Sequence, residues 1–316
     1  MISLIARRAA GLVLTLALVS ILVFVVTDVL PGDPAAIMLG TSARPDTLAA
    51  LRLELGLDQP AAARYLAWIG GVLSGSFGTS ITYGVPVAGL IAERLAVTLP
   101  LAVLSIAIAM ILALPLGIVA GARRDKPLDY GAMAFAQAAM TLPNFWIGLI
   151  LILVFSTWLG WFPAGGFPGW SVGILSALKA LLLPAFALAL PQAGILTRVA
   201  RTAIVELAGN DFVRAARAKG LSQGVILWRH IVPNALVPIV TILGLQFTFL
   251  IAGAVLVENV FSLPGLGRLA FQAVAQRDLV VLQSVILLFA ALVIVVNFLV
   301  DLCYLLLDPR LRDARR

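Results

Sequence analysis

Six stretches of this chain, 9–30, 97–120, 131–159, 176–197, 235–257 and 279–301, are made almost wholly of apolar side chains. About 20 such residues in a helix cross the hydrocarbon of a bilayer. In lipid each segment must satisfy its own backbone hydrogen bonds, so these stretches are expected to be helices. Composition agrees, with 62% apolar and only 12% charged residues, against about 25% charged in a soluble domain. A soluble fold and a disordered chain are both excluded. The fold class expected is an all-α membrane protein with six transmembrane helices. Prolines 100, 115, 143, 184, 191 and 238 fall inside these spans. Neighbouring helices can satisfy the carbonyls they free, and the bends they cause suit a pathway better than a plain anchor.

Several chemistries are excluded by count. The single Cys, Cys303, allows no intrachain disulfide, and the single His, His230, allows no two-histidine metal site. No lysine follows a glycine, so a phosphate-binding loop of the G-x-x-x-x-G-K type is missing. Catalytic residues and bound metal are expected in neither the spans nor the loops. Gly265-Leu266-Gly267-Arg268-Leu269-Ala270 imitates a dinucleotide fingerprint but lies between two spans rather than in a βαβ unit. Gly117 and Gly121 are spaced for close helix packing. His230, Ser222 and Asp211 share one basic loop without a nucleophile elbow, so a structural His is the simpler reading.

The net charge of +7 would suggest nucleic acid in a soluble protein. Here it is distributed as a membrane topology requires. With the N-terminus inside, fifteen of the 22 basic residues fall in inside segments: Arg7, Arg8, Arg123, Arg124, Lys126, Arg198, Arg201, Arg214, Arg217, Lys219, Arg229, Arg310, Arg312, Arg315 and Arg316. Both termini are therefore expected in the cytoplasm. The first apolar run is too long for a signal-peptide core and lacks a small-x-small cleavage site, so it is read as a retained span. The chain divides into the N-terminus and first span (1–30), an outer lobe (31–96), a core of five spans (97–307) containing a cytoplasmic loop (198–234), and a basic tail (308–316). Within the lobe, 48–57 reads as a short amphipathic helix and 61–73 as a second apolar stretch.

The loop 198–234 is the most informative segment. Asn210 can cap a helix, Asp211 suits its dipole, and Gly220 can end it. Phe212, Ala215, Ala216 and Lys219 recur at helical spacing, with Arg214 and Arg217 on a basic face. A helix of about nine residues is marginal alone and needs a surface to lie against. From the residues alone, a solvated basic loop explains the segment equally well.

A longer pattern favours the helix. Arg214-Ala215-Ala216-Arg217-Ala218-Lys219-Gly220 followed by Ile231-Val232-Pro233 resembles the Glu-Ala-Ala…Gly…Pro loop of ATP-binding-cassette importer permeases. Arg214 stands where that signature has Glu and His230 where it has Ile, as in the peptide-permease branch, which Asp211-Phe212-Val213-Arg214 through Gly220-Leu221-Ser222 closely resembles. Leu30-Pro31-Gly32-Asp33-Pro34, Leu55-Gly56-Leu57-Asp58, Phe77-Gly78-Thr79-Ser80, Leu142-Pro143-Asn144-Phe145-Trp146, Glu258 to Gly267 and Leu307-Asp308-Pro309-Arg310 extend the resemblance over nearly the whole chain.

The resemblance implies a type I importer permease fold in a bacterial inner membrane. It implies a second permease as heterodimer partner, cassette ATPase subunits, and an extracytoplasmic binding protein that delivers a di- or oligopeptide, nickel or another small solute. ATP and magnesium would be used by the ATPases, with no cofactor on this chain. Asp211, Phe212, Arg214, Ala215, Ala216, Arg217, Lys219 and Gly220 would couple to the ATPase. Glu258, Phe261, Pro264 and Gly265 would meet the binding protein or form the outer gate. Among the few polar residues inside spans, Asn144 and Gln246 are the first pathway candidates and Gln137 the next. A stand-alone carrier is the rival, weakened because mid-depth ionisable groups, usual in such carriers, are not found.

Overall fold

The computed structural model describes residues 2–29, 35, 44–54 and 58–307. The motifs at 30–34 and 55–57 and the tail at 308–316 lie outside the described residues. The molecule is helical, and among the described residues the only strand-like pairing is an isolated bridge between Thr79 and Pro86.

Among the described residues, five helices are long and apolar enough to cross a membrane: α1 (Ile2–Val29), α4 (Val87–Ala122), α7 (Ile174–Ala208), α10 (Val232–Val260) and α12 (Leu279–Leu307). The third sequence span is not one rod. α5 (Pro127–Thr141) and α6 (Asn144–Leu151), the latter continued by a π-helical segment Ile152–Trp158, meet at 100° across Leu142-Pro143. Proline disfavours helical backbone in the residue before it. Leu142 accordingly sits at φ −82°, ψ 130°, and the helix stops there.

α4 and α7 form the centre. Their seam is small: Ala109, Ala113 and Gly117 face Ala189, Ala193 and Ala200. A Cβ at Gly117 would stand 2.5 Å from Ala200 Cβ, and one at Gly121 would stand 2.6 Å from Ile204 Cβ. Only glycine lets the two backbones approach so closely. α10 packs across this pair through Leu250, Ala254 and Val257, and α12 lies against α10. α1 is peripheral, resting on α12, with Val13, Leu14, Leu22 and Val26 more than half exposed, as a lipid-facing surface would be.

Two boundaries differ from the sequence reading. α4 begins ten residues before the apolar run, at Val87, and at 1.5 Å per residue its 36 residues span about 54 Å, well beyond the hydrocarbon. The expected loop 198–234 is largely helical, because one long helix runs on to Ala208, a short one spans Asp211–Ala218 and another begins at Gln223. The stretch read as an outer lobe is largely helical where it is described. Its helices are α2 (Pro45–Glu54) and α3 (Ala61–Leu73), and α3 lies against α1. Tyr65 and Trp68 stack on Phe24 at ring-centroid distances of 5.5 and 6.1 Å, and the Tyr65 and Ser20 hydroxyls are 2.8 Å apart.

A second tie joins the loop at 77–86 to α12. Asp278, buried just ahead of α12, accepts hydrogen bonds from Ser80 Oγ at 2.5 Å, Thr82 N at 3.1 Å and Val281 N at 3.2 Å. One carboxylate thus caps a helix dipole and anchors the segment that leads into α4.

Candidate coupling and translocation sites

α8 (Asp211–Ala218) stands alone between α7 and α9 (Gln223–Ile226) at one end of the bundle. Asn210 occupies the N-cap position, though its side chain makes no capping bond; its carbonyl accepts from Val213 and Arg214. Asp211 instead pairs with Arg214 at 3.3 Å. Gly220, at φ +76°, turns the chain sharply after the helix, a conformation that L side chains rarely adopt.

The seat of α8 differs from the expected one. Val213 and Ala216 are its buried residues, packed with Ile118 of α4, Ile204 of α7, and Ile226, Ile231 and Ala235. Ala216 therefore belongs to the inward side rather than to a face open to a partner. The outward surface carries Asp211, Phe212, Arg214, Ala215, Arg217 and Lys219, all exposed. The two-turn helix is marginal alone, and this apolar socket supplies what holds it.

Behind it, Asp129 of α5 receives both arms of Arg201 of α7, Nε at 3.0 Å and Nη2 at 2.7 Å, and also accepts from Asp125 N at 3.0 Å. Asp129 is buried, so the pair is fixed in a fork geometry that lysine could not reproduce. Sequence reasoning missed this clamp, because Asp129 and Arg201 are 72 residues apart. Ser222 caps Val225 N and Asp211 pairs with Arg214, so neither is held as a catalytic partner of His230.

At the opposite end, Glu258, Phe261, Pro264 and Gly265 do cluster, but not as a contact surface. Glu258 is fully buried and accepts from Thr98 Oγ1 at 2.6 Å and Arg268 N at 3.0 Å. Thr98 Oγ1 also accepts from Leu266 N at 2.8 Å. A Cβ on Gly265 would fall on the Glu258 carboxylate, and one on Gly267 would stand 2.5 Å from Val255 Cα. The glycines admit the carboxylate; they do not form a dinucleotide loop. Phe261 is buried because loop 160–169 folds over it, with Gly166 N donating to Phe261 O at 2.8 Å. Of the four, Pro264 remains half exposed and borders a cavity of about 360 Å³ with Glu93, Arg94, Phe167 and Trp170. This knot joins α4, α10 and α11 (Leu266–Gln276).

The pathway candidates separate. Asn144 places its carboxamide against Gly253 of α10, which leaves no room for a Cβ there. Gln246 lies two turns earlier on α10, about 10 Å away along the same face. It is buried, and its Nε2 has no partner among the described residues. Gln192 of α7, also buried, has an Oε1 unpaired among the described residues. Gln137 lies across the Pro143 bend on an exposed face, hydrogen-bonded to Thr141.

Residues 113–313 match the family described as the binding-protein-dependent transport system inner membrane component, and residues 1–102 match its N-terminal companion. The chain belongs to this family. It is a transport component and not an enzyme. Relatives align from end to end. A Brucella abortus (strain 2308) chain named for a peptide transport system permease is 40% identical over 99% of either chain. The glutathione transport system permease protein GsiC of Escherichia coli (strain K12) is 38% identical, again over 99% of both. In fold, the membrane component resembles the MetNI methionine ABC transporter in inward-facing form, with a TM-score of 0.56 at 16% identity, over 69% of this chain and 96% of that one. It also resembles an amino acid ABC transporter, with a TM-score of 0.50 over 68% of this chain and 93% of that one. The type I importer permease fold and a multi-pass inner-membrane position follow.

Proposed function

We propose that this chain is one of two different permeases in an ATP-driven importer of di- or oligopeptides, with both termini cytoplasmic. A binding protein delivers the peptide at the end bearing Pro264 and Trp170, and cassette ATPases dock on α8 at the other. The substrate class rests on the full-length likeness to a chain named for peptide transport, with glutathione, itself a peptide, named for the second relative. The coupling role is supported by one structural observation: α8 seats Val213 and Ala216 in an apolar socket and turns Phe212, Arg214, Ala215, Arg217 and Lys219 outward. ATPase closure pushes that helix, and its socket passes the movement to α4, α7 and α10 together.

Ala215→Cys in the assembled complex tests the coupling role. It should cross-link to an ATPase subunit carrying a cysteine in its docking cleft, and nucleotide should change the yield. Labelling of Ala215→Cys by a water-soluble thiol reagent at equal rates with and without the ATPases would contradict it.

A further inference from the structure

Beside the coupling end, α7 and α10 leave a cavity of about 460 Å³ between Arg198, Thr202 and Glu206 on one side and Pro238, Thr241 and Ile242 on the other. Its chemistry is uneven. Residues 198, 202 and 206 are spaced i, i+4 and i+8, so they share one face of α7. Their spacing puts the two charges about 12 Å apart along the axis. Arg198 Nη1 donates to the Met140 sulfur at 3.8 Å and pairs with no carboxylate among the described residues. Glu206 has no basic partner among the described residues. Nearby, Asp129 pairs with Arg201 and Asp211 with Arg214, while Arg217, Lys219 and Arg229 stand, like Arg198, without a carboxylate partner among the described residues; what distinguishes Arg198 and Glu206 is their place on one cavity wall. Two opposite charges are thus held apart on one wall, with a hydroxyl between them, a second hydroxyl opposite and apolar surface around.

We infer that this cavity is a low-affinity exit site for a short peptide with free ends. Arg198 takes the terminal carboxylate, and Glu206 takes the terminal ammonium. A guanidinium matches a carboxylate in a two-bond fork. An extended chain advances about 3.3–3.6 Å per residue, so three residues span about 10 Å. The flexible Arg and Glu side chains take up the difference. Thr202 can bond the peptide backbone, and Thr241, whose hydroxyl donates to Val237 O at 3.0 Å, can accept from a peptide N–H, whereas Val199, Pro238 and Ile242 discriminate little among side chains. Both charges are exposed and screened, so the site is weak. Weakness suits an exit, because a site on a conduction route must also let its occupant leave. The inference rests on the peptide-importer proposal and adds which chemical features of the peptide this chain contacts.

The test uses the assembled complex in nanodiscs without the binding protein, with labelled tri-alanine as probe and its N-acetylated, C-amidated form as control. Equilibrium dialysis should show binding of the free-ended peptide. Arg198→Glu or Glu206→Arg should each weaken it at least tenfold. The double swap, Arg198→Glu with Glu206→Arg, should restore it, because the peptide can bind reversed. The capped peptide should bind weakly to all four proteins. Equal binding of free and capped peptide, equal binding to wild type and single variants, or no binding to wild type would overturn the site. Uptake of tri-alanine by the complete wild-type transporter is measured in parallel. If uptake is present and the dialysis result is negative, the exit site fails and the importer proposal stands. If uptake is absent, the importer proposal fails.

Discussion

Glu258 shows how one residue's environment changes its role. A carboxylate near the end of an apolar span looks like a surface group. Here Thr98, Leu266 and Arg268 converge on it and its hydroxyl partner, and Gly265 and Gly267 make room. Truncation to alanine would leave buried donors without an acceptor, costing about 1–3 kcal/mol. Glu258→Ala should therefore lower the thermal midpoint of the purified chain in detergent, and Glu258→Gln should lower it less. Gly265→Val should lower it too, because its side chain cannot enter without expelling the carboxylate. If Gly265→Val impaired transport with an unchanged midpoint, the residue would act as a contact and not as packing.

Among elements, α8 allows a clean separation of fold from function. Ala216 and Ala215 are neighbours, yet one enters the socket and the other faces out. An unpaired carboxylate buried at 216 should cost on the order of 3 kcal/mol or more. Ala216→Asp should expose the segment 209–222 to proteolysis even without ATPases. Ala215→Asp should leave proteolysis unchanged and reduce co-purification of the ATPase subunits. If both variants digested alike and both retained the ATPases, α8 would be a basic element resting on lipid headgroups.

The limits of sequence reasoning are also visible at this scale. Asn210 and Gly220 marked where a helix could begin and end, because caps and turns are local chemistry, but the residues alone did not decide between helix and loop. The inward direction of Ala216 was hidden, because it depends on Ile118 and Ile204 arriving from distant parts of the chain. Pro143 signalled a bend in the third span. Its size, 100°, is set by how α6 packs on α7 and α10. α3 could be read as apolar but not as docked on α1, since that depends on Phe24 meeting Tyr65 and Trp68.

For the whole molecule, helix order fixes two ends. α8 lies at one, and the Glu258 knot, Trp170 and the start of α4 at the other. The proposed orientation, drawn from the excess of basic residues, puts the α8 end in the cytoplasm. Thr47→Cys should react with a membrane-impermeant thiol reagent in intact cells, and Ser222→Cys should react only after lysis; the opposite pattern would invert the protein. Hydropathy made five crossing helices and the bent pair at 127–158 legible as apolar segments, whereas the assembly they serve was legible only through the long motif resemblance. The central claim, that this chain moves peptide only as part of an ATP-driven machine, is tested most directly by uptake into proteoliposomes. Vesicles containing the chain, its partner permease, the ATPases and the binding protein should accumulate labelled tri-alanine only when ATP reaches the α8 side. Accumulation by this chain alone, driven by an ion gradient without ATP, would contradict the account.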